Sequence, residues 1–242
     1  RPIDLFEPLE ALPFDYEGTC RGRDAGNAPR QELPPASVWH VRVRTEWDEW
    51  DLVGVFCYGP GSAAAKPEIT RFVVHFARLG LPETALFWGY EFWSGQFLGR
   101  VPGKRVNPGG YVHPGDYQDL KTGDAPGCLD VSFFGPGARL LCLRRERLHP
   151  WVAGTRFHQS CGAELRGVAW DPDPAVLRGE VHRPAGETGL VVIAPAGREA
   201  VSAVADGRPV PVRAGAHGSL VLPLTVVHPP VRWGVRFASV PR

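Results

Sequence analysis

The side chains of this 242-residue chain that are able to carry chemistry are spread along it rather than clustered. Two aspartate pairs come closest to an acid/base arrangement. Asp171 and Asp173 sit in Asp171-Pro172-Asp173-Pro174, where two prolines fix a turn, so a solvated loop is expected. Asp48 and Asp51 bracket Trp50 at the start of an apolar run and read as turn and edge polarity. Of eight histidines, His149 and His158 flank residues 150–156, too far apart for the short ligand spacings of zinc sites. Ser160-Cys161-Gly162 holds nucleophilic atoms with no base placed beside them. No G-x-S-x-G elbow, phosphate-binding glycine loop or H-E-x-x-H helix occurs. No catalytic residue, cofactor ligand or metal ligand is therefore assigned, and no cofactor is expected.

Two segments remain as candidate binding surfaces. Residues 99–128 form an insert dominated by Gly, Pro, Asp and Lys, and loops of this length are often functional. Its Tyr111, His113, Asp116 and Tyr117 are the candidate substrate-side contacts, because sugar hydroxyls need fixed polar partners and sugar rings need flat apolar ones. The second is Phe87-Trp88-Gly89-Tyr90-Glu91-Phe92-Trp93. Aromatic side chains fill inner sheet faces efficiently. Trp88, Tyr90 and Phe92 are thus expected in a core, with Glu91 more exposed. The alternative is a sugar-stacking surface using Trp93, Trp47 and Tyr111.

The elements that must position these residues are strands. A period of two begins at Val38, with Trp39, Val41 and Val43 on one face. Residues 50–58 are apolar on both faces, which marks a central strand. Ile69 to Phe76 alternates with Thr70, Phe72, Val74 and Phe76 inward. Strands resume at 129–133 and 138–143. Polar Arg144-Arg145-Glu146-Arg147 and then His149-Pro150 interrupt the pattern. Shorter strands follow at 163–170, 176–181, 190–193, 219–224 and 231–237, the last with Val231, Trp233, Val235 and Phe237 inward. No segment keeps a helical period. The expected fold is all-β: two consecutive antiparallel β-sandwich domains, 37–147 and 148–242, preceded by an extended connector at 1–36.

Composition agrees with that class. Gly (29) and Pro (25) punctuate many short strands. Apolar residues at 43% and charged residues at 22% suit a globular chain. A net charge of +1 gives no global support for nucleic-acid binding. No run of about 18 apolar residues is present, so no membrane partner is expected. The five cysteines show no C-x-x-C spacing, and free thiols are expected, favouring a cytoplasmic setting. Methionine is missing and the chain opens Arg1-Pro2-Ile3-Asp4, which predicts a processed chain or fragment.

Several phrases in order carry a resemblance: Trp50-Asp51-Leu52-Val53-Gly54-Val55-Phe56, then Tyr90-Glu91-Phe92-Trp93-Ser94-Gly95-Gln96-Phe97-Leu98-Gly99, then His149-Pro150-Trp151-Val152-Ala153-Gly154-Thr155-Arg156-Phe157-His158-Gln159. Together they resemble the C-terminal β-sandwich region of melibiase-type (α-galactosidase-like) glycoside hydrolases. The resemblance departs at Cys57-Tyr58, where the family pattern has Asn-Trp. It implies non-catalytic accessory domains that pack on and support an upstream catalytic barrel of the same polypeptide. The catalytic carboxylates would lie on that barrel, so the chain itself is expected to be inactive and its parent a glycoside hydrolase. A carbohydrate-binding module taking oligosaccharide, or an Ig-like interaction protein, is the alternative.

Overall fold

A computed structural model describes residues 12–15, 38–57, 69–82, 85–101, 128–134 and 137–238. Within them the chain is all-β, and every strand pairing is antiparallel. The first part holds β1 (Leu12–Asp15), β2 (Val38–Arg44), β3 (Glu49–Cys57), β4 (Ile69–His75), β5 (Phe87–Glu91), β6 (Gln96–Val101), β7 (Cys128–Phe134) and β8 (Gly137–Arg145). The second holds β9 (Trp151–Thr155), β10 (Leu165–Asp171), β11 (Val176–Val181), β12 (Thr188–Ala194), β13 (Ala200–Ala205), β14 (Arg208–Pro209), β15 (Arg213–Ala214), β16 (Leu220–Thr225) and β17 (Val231–Phe237).

A six-stranded sheet runs β1-β2-β3-β8-β5-β6, and a two-stranded sheet pairs β4 with β7. The second part forms a four-stranded sheet, β15-β16-β12-β9, and a five-stranded one, β10-β11-β17-β13-β14. Among the described residues no ladder joins a strand before Arg145 to one after Trp151.

Side-chain alternation stacks these sheets in four layers. On β3, Val53, Val55 and Cys57 point one way, into a core with Phe72, Val74, Val131 and Phe133 of the two-stranded sheet. Trp50 and Leu52 point the other way, into a cluster with Trp151, Ala153, Val192 and Ala194. On β9 and β12 the intervening residues Val152, Val191 and Ile193 face the five-stranded sheet, meeting Leu177, Trp233 and Val235. Successive side chains of a strand point to opposite faces, so one strand feeds two cores. The six-stranded and four-stranded sheets are thus buried on both faces. Each large apolar side chain withdrawn from water there contributes about 1.5–3 kcal/mol.

Several sequence expectations change on contact with this arrangement. The supposed connector 1–36 contains β1, which adds to the sheet edge beside β2. Of Trp39, Val41 and Val43 only Val43 is fully buried, because β2 lies near that edge. Of Trp88, Tyr90 and Phe92 only Tyr90 is fully buried, the other two being half-buried against the inter-sandwich cluster. Glu91, expected outside, is 1% exposed. Its carboxylate accepts hydrogen bonds from the backbone N–H groups of Ser94 (2.6 Å), Leu140 (3.2 Å) and Trp93 (3.3 Å). It closes the turn after β5, and those donors offset the cost of burying it.

Candidate functional site

Several polar side chains distant in sequence converge at the seam between the two sandwiches. Arg144 follows Leu140 and Cys142 on the seam-facing side of β8, and it is 1% exposed. Its guanidinium carbon stands 3.7 Å from the ring centre of Trp50 and 4.8 Å from that of Trp47. One terminal nitrogen donates to Asp48 and the other to the Cys161 carbonyl at 2.9 Å. Arg147 donates to the second oxygen of Asp48. The turn that carries Asp48 therefore neutralises a cation packed against two neighbouring indoles. A buried charge is tolerated when it is paired and hydrogen-bonded in this way.

Beside it lies a second buried polar group. Glu164 is fully buried, and burial pushes its carboxyl above the usual carboxylate range. The Thr155 hydroxyl donates to one of its oxygens and the Ser160 hydroxyl to the other, at 3.1 Å. The Ser160 N–H donates to His158 Nδ1 at 3.2 Å, while the Ala163 N–H donates to the Ser160 hydroxyl at 3.1 Å. Burial lowers the basicity of His158. Serine, histidine and glutamate are thus neighbours, but the order differs from a hydrolytic triad. There the imidazole sits between hydroxyl and carboxylate so that it takes the proton. Here the hydroxyl sits next to the carboxylate and is wholly buried. This is a bracing network for the turn between β9 and β10.

Two thiols and a phenol complete the seam. Cys142 on β8 and Cys161 in that turn are free and fully buried, and their thiols donate to the backbone carbonyls of Ala153 (3.7 Å) and Gln159 (3.5 Å). Tyr90 is fully buried, and among the described residues its hydroxyl has no hydrogen-bond partner. Burial drives its acidity far down, with a further push from Cys161. Gly154 on β9 is required by the close approach of Tyr90, since a Cβ there would lie 2.5 Å from a ring carbon.

The residues singled out from sequence fare differently. Tyr111, His113, Asp116 and Tyr117 lie outside the described residues, as does most of the 99–128 insert. Gly99 to Val101 belong to β6 and Cys128 begins β7, so the interruption is shorter than expected. Asp173 is exposed in a turn where its N–H donates to Asp171 at 3.2 Å, as anticipated. Asp48 and Asp51 are separate: Asp51 accepts from His40 (2.6 Å) and Arg42 (3.0 Å). His149 stacks on Trp170 at 5.9 Å between centres. Trp47 is not an open platform, for its ring covers Arg144 and its N–H donates to Leu165 O at 3.2 Å. Trp93 is 43% exposed, on the turn that Glu91 closes. Sequence reasoning missed Arg144 and Glu164. Period-two counting from Leu140 and Cys142 was the signal for Arg144, overridden by the surrounding charges at 145–147. Among the described residues no group of three or more His, Cys, Asp or Glu is placed to hold a metal ion. No protein-family model matches the chain, and no curated protein matches it.

Proposed function

We propose that the chain forms the non-catalytic accessory β-sandwiches of an α-galactosidase-like glycoside hydrolase, packing on and supporting a catalytic barrel carried upstream in the same polypeptide. The observation that supports this reading is how the buried acids are used. Asp48, Asp51, Glu91 and Glu164 each accept hydrogen bonds from the chain's own donors. A retaining glycosidase needs two opposed carboxylates about 5 Å apart with the glycosidic bond between them. Carboxylates committed to turns and to a buried guanidinium brace a scaffold instead. The sequence resemblance supplies the enzyme class. The test is hydrolysis of an aryl α-galactoside by the chain alone, together with the coding sequence upstream of Arg1. No turnover and an upstream barrel are expected. Turnover by the isolated chain, or an upstream sequence without a barrel, would overturn the proposal.

A second reading rests on Trp93, whose exposed ring is a flat apolar face in a braced turn. Arg156 donates to its carbonyl at 3.3 Å from the other sandwich. Such a ring stacks on a pyranose. Isothermal titration with oligosaccharides discriminates the two: heat abolished by Trp93→Ala supports the binding module, and no heat supports the scaffold.

A further inference from the structure

Trp93 and Arg156 come from different sandwiches and meet where the two touch. Trp93 lies in the turn between β5 and β6, and Arg156 follows β9. Both are exposed, and both are held in place. The Glu91 carboxylate accepts from the backbone N–H groups of Trp93 and Ser94, which fixes the turn. Gly95 completes it at φ +71°, a left-handed conformation that glycine takes without strain. A Cβ on Gly95 would stand 3.3 Å from a guanidinium nitrogen of Arg156, so the glycine also makes room for the arginine. Arg156 donates from its backbone N–H to Leu190 O at 2.9 Å and from its guanidinium to Trp93 O at 3.3 Å. The charge is thus tethered at both ends against the residue that carries the ring. Among the described residues the guanidinium has no carboxylate partner, the Trp93 ring has no stacking partner and its N–H has no acceptor. None of the other large exposed apolar side chains lies in this turn, while Ser94 and Gln96 beside Trp93 are exposed and polar. One flat ring among hydrogen-bonding groups suits a single sugar ring better than an apolar peptide.

We propose that this turn binds a hexuronate unit of an acidic oligosaccharide, with the pyranose ring on Trp93 and its carboxylate on Arg156. The site goes beyond a scaffold role; it rests on Trp93 stacking on a pyranose and adds the class of sugar. A pyranose offers a face of C–H bonds to an indole, and the carboxylate of a hexuronate projects from the edge of the same ring. Ring and charge thus belong to one small unit of the ligand, as Trp93 and Arg156 form one hydrogen-bonded unit of the protein. The guanidinium spends one donor on Trp93 O and keeps others for the ligand. A carboxylate takes two parallel N–H···O bonds from such a planar fork, which the hydroxymethyl group of a neutral hexose does not reproduce. Selection of the acid over the neutral sugar is that difference. Because Arg156 is exposed, the charge pair is weakened by salt, whereas the stacked ring is not.

The test is isothermal titration of the whole chain with trimers of galacturonate and of glucuronate, and with their methyl esters, which keep the rings and lose the charge. Expected is at least one acid trimer bound about 5-fold more tightly than its ester in low salt, with the gap closing in high salt. Trp93→Ala abolishes binding of both forms. Arg156→Gln removes the advantage of the acid and leaves the affinity of the ester unchanged. Should that variant fail to fold, the salt dependence of the unaltered chain decides alone. Acid and ester bound equally, and both lost in Trp93→Ala, would overturn the uronate site and leave pyranose stacking standing. An acid preference that persists in Arg156→Gln or in high salt would overturn the role of Arg156, as would a loss in that variant that strikes acid and ester alike. No heat with any of the probes, or heat untouched by Trp93→Ala, would overturn both the uronate site and the stacking on Trp93.

Discussion

Asp48→Ala removes the carboxylate that neutralises Arg144 while leaving the guanidinium where it is. The geometry sets the size of the effect. Arg144 is 1% exposed and lies against Trp50 at 3.7 Å, so it cannot reach water without being drawn out of the seam. It also donates to the Cys161 carbonyl at 2.9 Å. Breaking a buried ion pair from one side costs about 3–5 kcal/mol, because an uncompensated charge is left behind. Native domains have only about 5–15 kcal/mol of stability, and for a chain of this length each kcal/mol moves Tm by about 2–4 °C. The expected result is a fall in Tm on the order of 10 °C and a matching drop in the urea midpoint. Arg44–Glu49 provides the comparison, being an exposed pair at 2.6 Å. Exposed pairs are worth about 0.2–1 kcal/mol and are screened by salt. Glu49→Ala should therefore cost below about 1 kcal/mol, and raising the salt should shrink that difference but not the Asp48 effect. Urea unfolding of both variants in low and high salt is the assay. An Asp48→Ala loss below about 1 kcal/mol, or one that vanishes in high salt, would refute the view that the seam buries a compensated charge.

Other perturbations probe the same seam. Tyr90→Phe removes a buried hydroxyl that finds no partner among the described residues and should leave stability unchanged or raise it by about 1 kcal/mol, read by denaturant titration. Gly154→Ala places a Cβ against the Tyr90 ring and should cost about 1–3 kcal/mol by overpacking, read by calorimetry. Glu91→Ala strips the acceptor from three backbone N–H groups and should cost about 2–3 kcal/mol, with hydrogen exchange at Ser94 speeding up. Glu164 gives a pH signature, since burial raises its folded pKa above the unfolded value. The folded state then binds the proton more tightly, so its stabilising contribution is full below the ordinary carboxylate pKa and is lost as pH rises through the raised one. Glu164→Gln should flatten that decline in a series of urea midpoints from pH 4 to 8, and an unchanged slope would refute the assignment.

Much of the fold was written in local pattern. Alternation fixed β17 with Val231, Trp233, Val235 and Phe237 inward, and those four are buried. The doubly apolar run at 50–58 marked a central strand, and β3 lies inside the six-stranded sheet. The Asp171–Asp173 turn followed from its prolines. These features depend on neighbours in the chain, which a sequence displays directly. What alternation cannot express is which layer lies beyond each face. Only packing decided that the outer face of the six-stranded sheet meets β9 and β12, and that decision changed the meaning of individual side chains. Glu91 went inside because the turn after β5 and the N–H of Leu140 came within its reach. Arg144 went inside because Asp48, separated from it by most of the first sandwich, arrived with a counter-charge. Trp47 became a cover rather than a surface for the same reason. Cys142 on β8 and Cys161 in the turn after β9 entered one apolar cluster. A charged or reactive residue takes its role from partners distant in sequence, and those partners exist only once the layers have closed.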